Sequence, residues 1–133
     1  MKKDKVKAAN ASWHSCQYHI VFCTKYRRRI LVGEIGERTM ALFRLFGKEL
    51  GYEVLGVYAR PDRVNALIDV PPTKNLSKLI GNMKGRIAHE LKREFPALRT
   101  RVPSVWTRNN YICSVGTATN ESIDIFVERQ NGV

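Results

Sequence analysis

The chain has 133 residues, 44% hydrophobic and 26% charged, which fits one globular domain that buries a core without disulfide or metal staples. No apolar run is long enough to cross a bilayer and no secretory pattern opens the chain, so a cytoplasmic protein with no membrane partner is expected. A net charge of +11 calls for a polyanionic partner, while three cysteines without C-x-x-C spacing argue against a disulfide framework or a zinc knuckle.

Residues 1–30 hold eight lysines and arginines against Asp4 alone. The first twelve are polar and lack an apolar period, which reads as a basic flexible arm ahead of a domain over residues 13–133. From Cys16 to Thr24, Tyr18, Ile20 and Phe22 alternate with His19, Val21 and Cys23, predicting a strand buried on both sides. Lys25, Tyr26, Arg27, Arg28 and Arg29 follow as an aromatic and basic turn suited to phosphates and one stacked base, or simply a solvated charge run. Between Glu34 and Leu50, Ile35, Thr39, Leu42, Phe43 and Phe46 fall at helical spacing, and Gly51 stands where a left-handed cap belongs.

Tyr52 to Ala59 and Val64 to Val70 read as an antiparallel hairpin around Arg60-Pro61-Asp62. Asn75 can cap a helix whose apolar stripe is Leu76, Leu79, Ile80, Met83, Ile87 and Leu91, with Lys78, Asn82, Gly85, His89 and Lys92 opposite and Pro96 as its stop. A short strand at residues 104–106, another at 111–116 and a last helix from Glu121 to about Gln130 complete the order. Strand, helix, strand, strand, helix, strand, strand, helix predicts an α+β fold, a ferredoxin-like antiparallel sheet packed with helices in a single domain. His19 reads as a strand packing residue and His89 as a solvated or phosphate-touching one.

Specific segments carry a resemblance. Tyr18-His19-Ile20-Val21-Phe22 with Thr24-Lys25-Tyr26-Arg27-Arg28, then Ile30-Leu31 and Gly33-Glu34, resemble the opening strand and basic turn of the insertion-sequence 200/605 single-tyrosine transposases. Pro61-Asp62-x-Val64-x-x-Leu67-Ile68 is similar to that family's metal strand. Trp106 with Tyr111, and Ser114-Val115-Gly116, resemble its last strand region, and Glu128 with Gln130 the end of its final helix. The resemblance spans residues 16–130.

It implies recognition of single-stranded and hairpin DNA at element ends by a homodimer. It also implies cleavage by a tyrosine that becomes joined to a 5′ phosphate, with Mg2+ or Mn2+ held by a histidine-hydrophobic-histidine strand. Side chains at i and i+2 on a strand share a face, so two imidazoles there can hold one cation, which polarises the scissile phosphate. Here the histidine positions are Arg63 and Asn65, the tyrosine position is Phe126, and only Gln130, which completes the metal shell in the family, keeps its type. Arg63 has no lone pair for a cation, Asn65 offers one neutral oxygen, and Phe126 has no hydroxyl.

These departures predict a family member that binds DNA without cutting it and needs no cofactor. Arg63 is expected either to clamp a DNA phosphate or to be a tolerated surface residue, and Phe126 to be a packing residue. Lys84, Arg86 and Arg108 are further DNA-binding candidates. Two other readings stand: an active transposase using Asn65, Gln130, a ligand such as His19 and a tyrosine among Tyr18, Tyr26 and Tyr111, or a basic RNA-binding regulatory domain.

Overall fold

The computed structural model describes residues 16–102 and 104–115. Strand β1 (Gln17–Thr24) is followed by a 3-10 turn (Lys25–Arg27), helix α1 (Gly33–Leu50), strands β2 (Glu53–Arg60) and β3 (Arg63–Asp69), helices α2 (Leu76–Glu94) and α3 (Ala97–Arg101), and strand β4 (Trp106–Ser114). The sheet runs β2-β3-β1-β4 with every pairing antiparallel. This is the ferredoxin-like α+β arrangement that the sequence order predicts.

Strand alternation assigns the two faces. Ile20 and Phe22 of β1 and Val64, Ala66 and Ile68 of β3 join Leu42, Phe43 and Phe46 of α1 and Leu79, Ile80, Met83, Ile87 and Leu91 of α2 in one core. The Phe22 ring sits 5.7 Å from Phe43 and 5.6 Å from Trp106, centroid to centroid. Val21 and Cys23 are also fully buried, but on the other face, with Tyr111 packed against them. The two-sided burial expected of β1 therefore holds for its second half.

Both helix signals are where the sequence placed them. Asn75 Oδ1 accepts from the Lys78 backbone N–H at 3.0 Å at the start of α2, and Gly51 closes α1 at φ 88°. Just before that cap, a Cβ on Gly47 would lie 2.8 Å from the Tyr52 carbonyl oxygen, so the chain can fold back only on a bare backbone. The Tyr52 hydroxyl then donates to the Phe43 carbonyl at 2.6 Å, tying the reversal to α1. In the hairpin, Arg60 pairs with Arg63, leaving Pro61-Asp62 as the turn.

Three details differ from expectation. The strands predicted at residues 104–106 and 111–116 are one continuous β4, because β1 pairs with both ends of the polar stretch between them, Trp106 opposite Thr24 and Asn110 opposite Phe22. Trp106 pairs with Thr24 across a register shift that absorbs the irregularity. Pro96 does not merely stop α2. It occupies the N-cap of α3, where a ring-fixed φ and a missing N–H cost nothing. The basic turn after β1 is a 3-10 turn whose Tyr26 and Arg27 have φ of 57° and 52°. The basic arm at residues 1–12, the last helix predicted from Glu121, Phe126 and Gln130 lie outside the described residues.

Candidate nucleic-acid interface

Period-two geometry puts Arg63 and Asn65 on the face of β3 opposite the helices, the face that carries Val21 and Cys23. Across the sheet Tyr58, Asn65, Val21 and Tyr111 form one row, and Arg60, Arg63 and Cys23 the next. The resemblance thus maps its two metal-strand positions onto one surface beside an aromatic neighbour.

The Arg63 guanidinium is already engaged. Its Nη1 lies 3.2 Å from Asp62 Oδ1, while Arg27, 35 residues earlier, grips Asp62 Oδ2 through Nε at 2.9 Å and Nη2 at 2.7 Å. The Asp62 side chain is only 10% exposed, and its backbone carbonyl accepts from the Thr24 N–H at 3.0 Å and the Thr24 hydroxyl at 3.1 Å. One carboxylate therefore faces two guanidinium groups, a partly buried charge cluster of net +1. Beside it, Arg63 Nε and Asn65 Oδ1 are buried without a hydrogen-bond partner, a donor and an acceptor both left open.

A divalent cation does not fit this donor set. The nearest carboxylate is saturated by arginines, a third positive charge would be repelled, and Asn65 contributes a single neutral oxygen. Among the described residues no three His, Cys, Asp or Glu side chains converge as a metal cage. Cys23 is no substitute nucleophile, because burial, with Asp62 adding to it, pushes its thiol up to about 11.

The Asp62 cluster also explains how the basic turn holds its shape. Left-handed backbone at two successive non-glycine residues costs about 1–2 kcal/mol each. The Arg27 ion pair and the Thr24 hydroxyl, which donates to the Arg28 carbonyl at 2.7 Å, offset that cost. The consequence is an outward Tyr26, 49% exposed, with Lys25 Nζ 5.2 Å and the Arg28 guanidinium 6.0 Å from its ring centroid. Arg28 and Arg29 are exposed beside it.

The turn reaches across the end of the sheet to a second region. The Lys25 N–H donates to the Val105 carbonyl at 2.9 Å, at the entry to β4. There a groove of about 490 Å³ runs between α2 and residues 104–108, lined among others by Lys84, His89, Lys92 and Arg108. Lys84 Nζ donates to the Thr107 carbonyl at 2.7 Å and lies 5.4 Å from the Phe22 ring centroid. Burial holds its ammonium down to about 8.

Of the sequence candidates, Arg27 and Arg63 meet at Asp62, Lys25 joins the turn to the groove, and Lys84 with Arg108 lines it. Arg86 stands apart. It faces α1, with its guanidinium 4.3 Å from the Phe46 ring centroid and 2.7 Å from Glu49 Oε1. Sequence reading missed Asp62 as the shared counter-ion, whose signal was an acid beside Arg63 in a basic stretch. It also missed the groove, whose residues come from segments some twenty positions apart and share only their charge.

Comparison with known proteins places this geometry. The family model described as "Transposase IS200 like" matches residues 12–130. The ISDra2 transposase TnpA of Deinococcus radiodurans is 25% identical over 129 residues, covering 96% of this chain and 92% of that protein. A transposase for insertion sequence element IS200 from Salmonella typhimurium is 29% identical over 118 residues, covering 87% of this chain and 77% of that protein. A crystal structure of a candidate transposase from D. radiodurans R1 superposes with a TM-score of 0.86 at 24% identity, each chain covered in full. A REP-associated tyrosine transposase bound to a REP hairpin superposes with a TM-score of 0.57 at 9% identity, covering 96% of this chain and 69% of that one, a likeness of fold.

Proposed function

The chain belongs to the IS200-like transposase family, and we propose that this member binds single-stranded and hairpin DNA as a homodimer without cutting it. The observation that carries the reading is Arg63, which stands at a metal-strand position with its guanidinium fixed on Asp62. A permanent cation there supplies neither a metal ligand nor room for a metal's charge.

The other half of the argument is chemical. In-line attack on a phosphodiester through a tyrosine needs a phenolic oxygen, and Phe126, at that position in the sequence, has none. What the chain retains is the means to hold a polyanion: a net charge of +11, an exposed tyrosine flanked by cations, and a basic groove tied to that turn by the Lys25–Val105 backbone hydrogen bond. The REP hairpin carried by the structural relative supports a hairpin as the form of DNA to test first. The homodimer rests on the family resemblance, in which the final helix of one subunit serves the metal strand of the other.

The test is a labelled DNA hairpin with single-stranded flanks, titrated by fluorescence anisotropy with magnesium or manganese and then run on a denaturing gel. We expect saturable, salt-sensitive binding and full-length DNA. Nicked product would overturn the non-cleaving reading and favour a rescued active site, with Tyr111 the first residue to replace because it shares a sheet row with Asn65.

A further inference from the structure

The groove between α2 and the start of β4 lies on the helix side of the sheet, away from the metal-strand positions. It is built rather than incidental: Lys84, Ala88 and Lys92 recur one turn apart along α2 with His89 beside them, and Trp106 and Arg108 face them from β4. Its volume of about 490 Å³ falls within the range of small-ligand sites, roughly 300–1,000 Å³. Among the described residues that line it, none is acidic. The lining combines a half-buried Ala88 and the edge of a largely buried Trp106 with cationic side chains, the pairing that a base and its phosphates require. Trp106 is itself 6% exposed, and its indole N–H is a buried donor without an acceptor.

Gly85 lines the groove without a side chain. It is an exposed residue in the middle of α2, where glycine costs about 0.5–1 kcal/mol against alanine. A Cβ there would meet no heavy atom within 4 Å, so packing does not require the missing side chain. Gly81, one turn earlier, is equally exposed and equally unobstructed, and does not line the groove.

We propose that this groove receives one unstacked nucleotide of single-stranded DNA, its base against the apolar wall and its phosphates at Lys92 and Arg108. The proposal deepens the DNA-binding reading and rests on it. It makes the groove a subsite for an unpaired base, whereas the basic turn contacts the strand from outside.

The experiment compares the parent chain with Gly85→Leu and Gly81→Leu. The probes are a fifteen-residue oligothymidylate and a strand of equal length made of abasic spacers, both read by fluorescence anisotropy at one salt concentration. The parent should prefer the thymidylate by about tenfold, as base stacking contributes on that scale. Gly85→Leu should shrink the preference at least about fivefold while Gly81→Leu keeps it. Both variants should melt at or above the parent's temperature, since each replaces a helical glycine with a better helix former. An unchanged preference in Gly85→Leu overturns the groove assignment and leaves DNA binding standing. Failure of the parent to bind either strand overturns both.

Discussion

On the open face of the sheet, Arg27 and Arg63 share one carboxylate, and the turn above them is locked by that arrangement. On the helix side, Lys84, His89, Lys92 and Arg108 line a groove whose described walls hold no acid. Both regions are cationic, with two guanidinium groups in the first and Lys84, Lys92 and Arg108 in the second, but the charge is set differently. In the first, charge is matched internally and serves the fold. In the second, the cations line a cavity with no acid in its described walls, which is why we propose a ligand there. A count of arginines and lysines cannot tell these apart, because what matters is where the nearest carboxylate sits.

The largest effect should come from removing the shared counter-ion. Asp62→Ala leaves two partly buried guanidinium groups facing each other and releases the strained turn, which should cost about 3 kcal/mol, read by urea or thermal unfolding. DNA affinity at permissive temperature should hold or rise as the freed arginines turn to phosphate. If stability is untouched, the matched region is not structural and the contrast fails.

Tyr26→Gly separates shape from contact. Glycine relieves the left-handed strain at φ 57°, so stability should hold or gain about 1 kcal/mol. The exposed ring is lost with it, and affinity for single-stranded DNA should fall about fivefold to tenfold in an anisotropy titration. A stability loss would mean that the ring packs rather than binds.

The next effect is a pH dependence. Lys84 is protonated below about 8 and neutral above, far under the ordinary lysine value, because burial disfavours its charge. Between pH 7 and 9 the parent should therefore lose about one cation's share of its affinity, about threefold at moderate salt. Lys84→Met should start lower by that factor and stay flat over the same range. Cys23, with its thiol pushed up to about 11, is silent in this window. The smallest effect belongs to Arg86, which spends its charge on Glu49 and its face on Phe46. Arg86→Ala should leave DNA affinity within about twofold and cost under about 1 kcal/mol, since the pair is exposed.

The sequence made the sheet and helices legible wherever one local rule acted alone: period two in β1 and β3, a capping asparagine before α2, a glycine after α1. It misled where a partner strand overrode local preference. Arg108-Asn109-Asn110 has poor strand character, yet β1 pairs with Trp106 before it and with Asn110 at its end, and β4 runs on across the register shift between them. At the candidate site, the chemical departures at Arg63 and Asn65 were visible in the residue types. The Arg27–Asp62 pair, bridging 35 residues, and the groove between α2 and β4 required the fold, because charge in a sequence carries no direction.

The most direct measurement is the intact mass of the protein after incubation with a saturating DNA hairpin and manganese. The account predicts one species at the unmodified mass while the same sample shows bound DNA under native conditions. A species heavier by a nucleotide fragment would mean that a side chain has attacked the phosphodiester, which contradicts the account at its root.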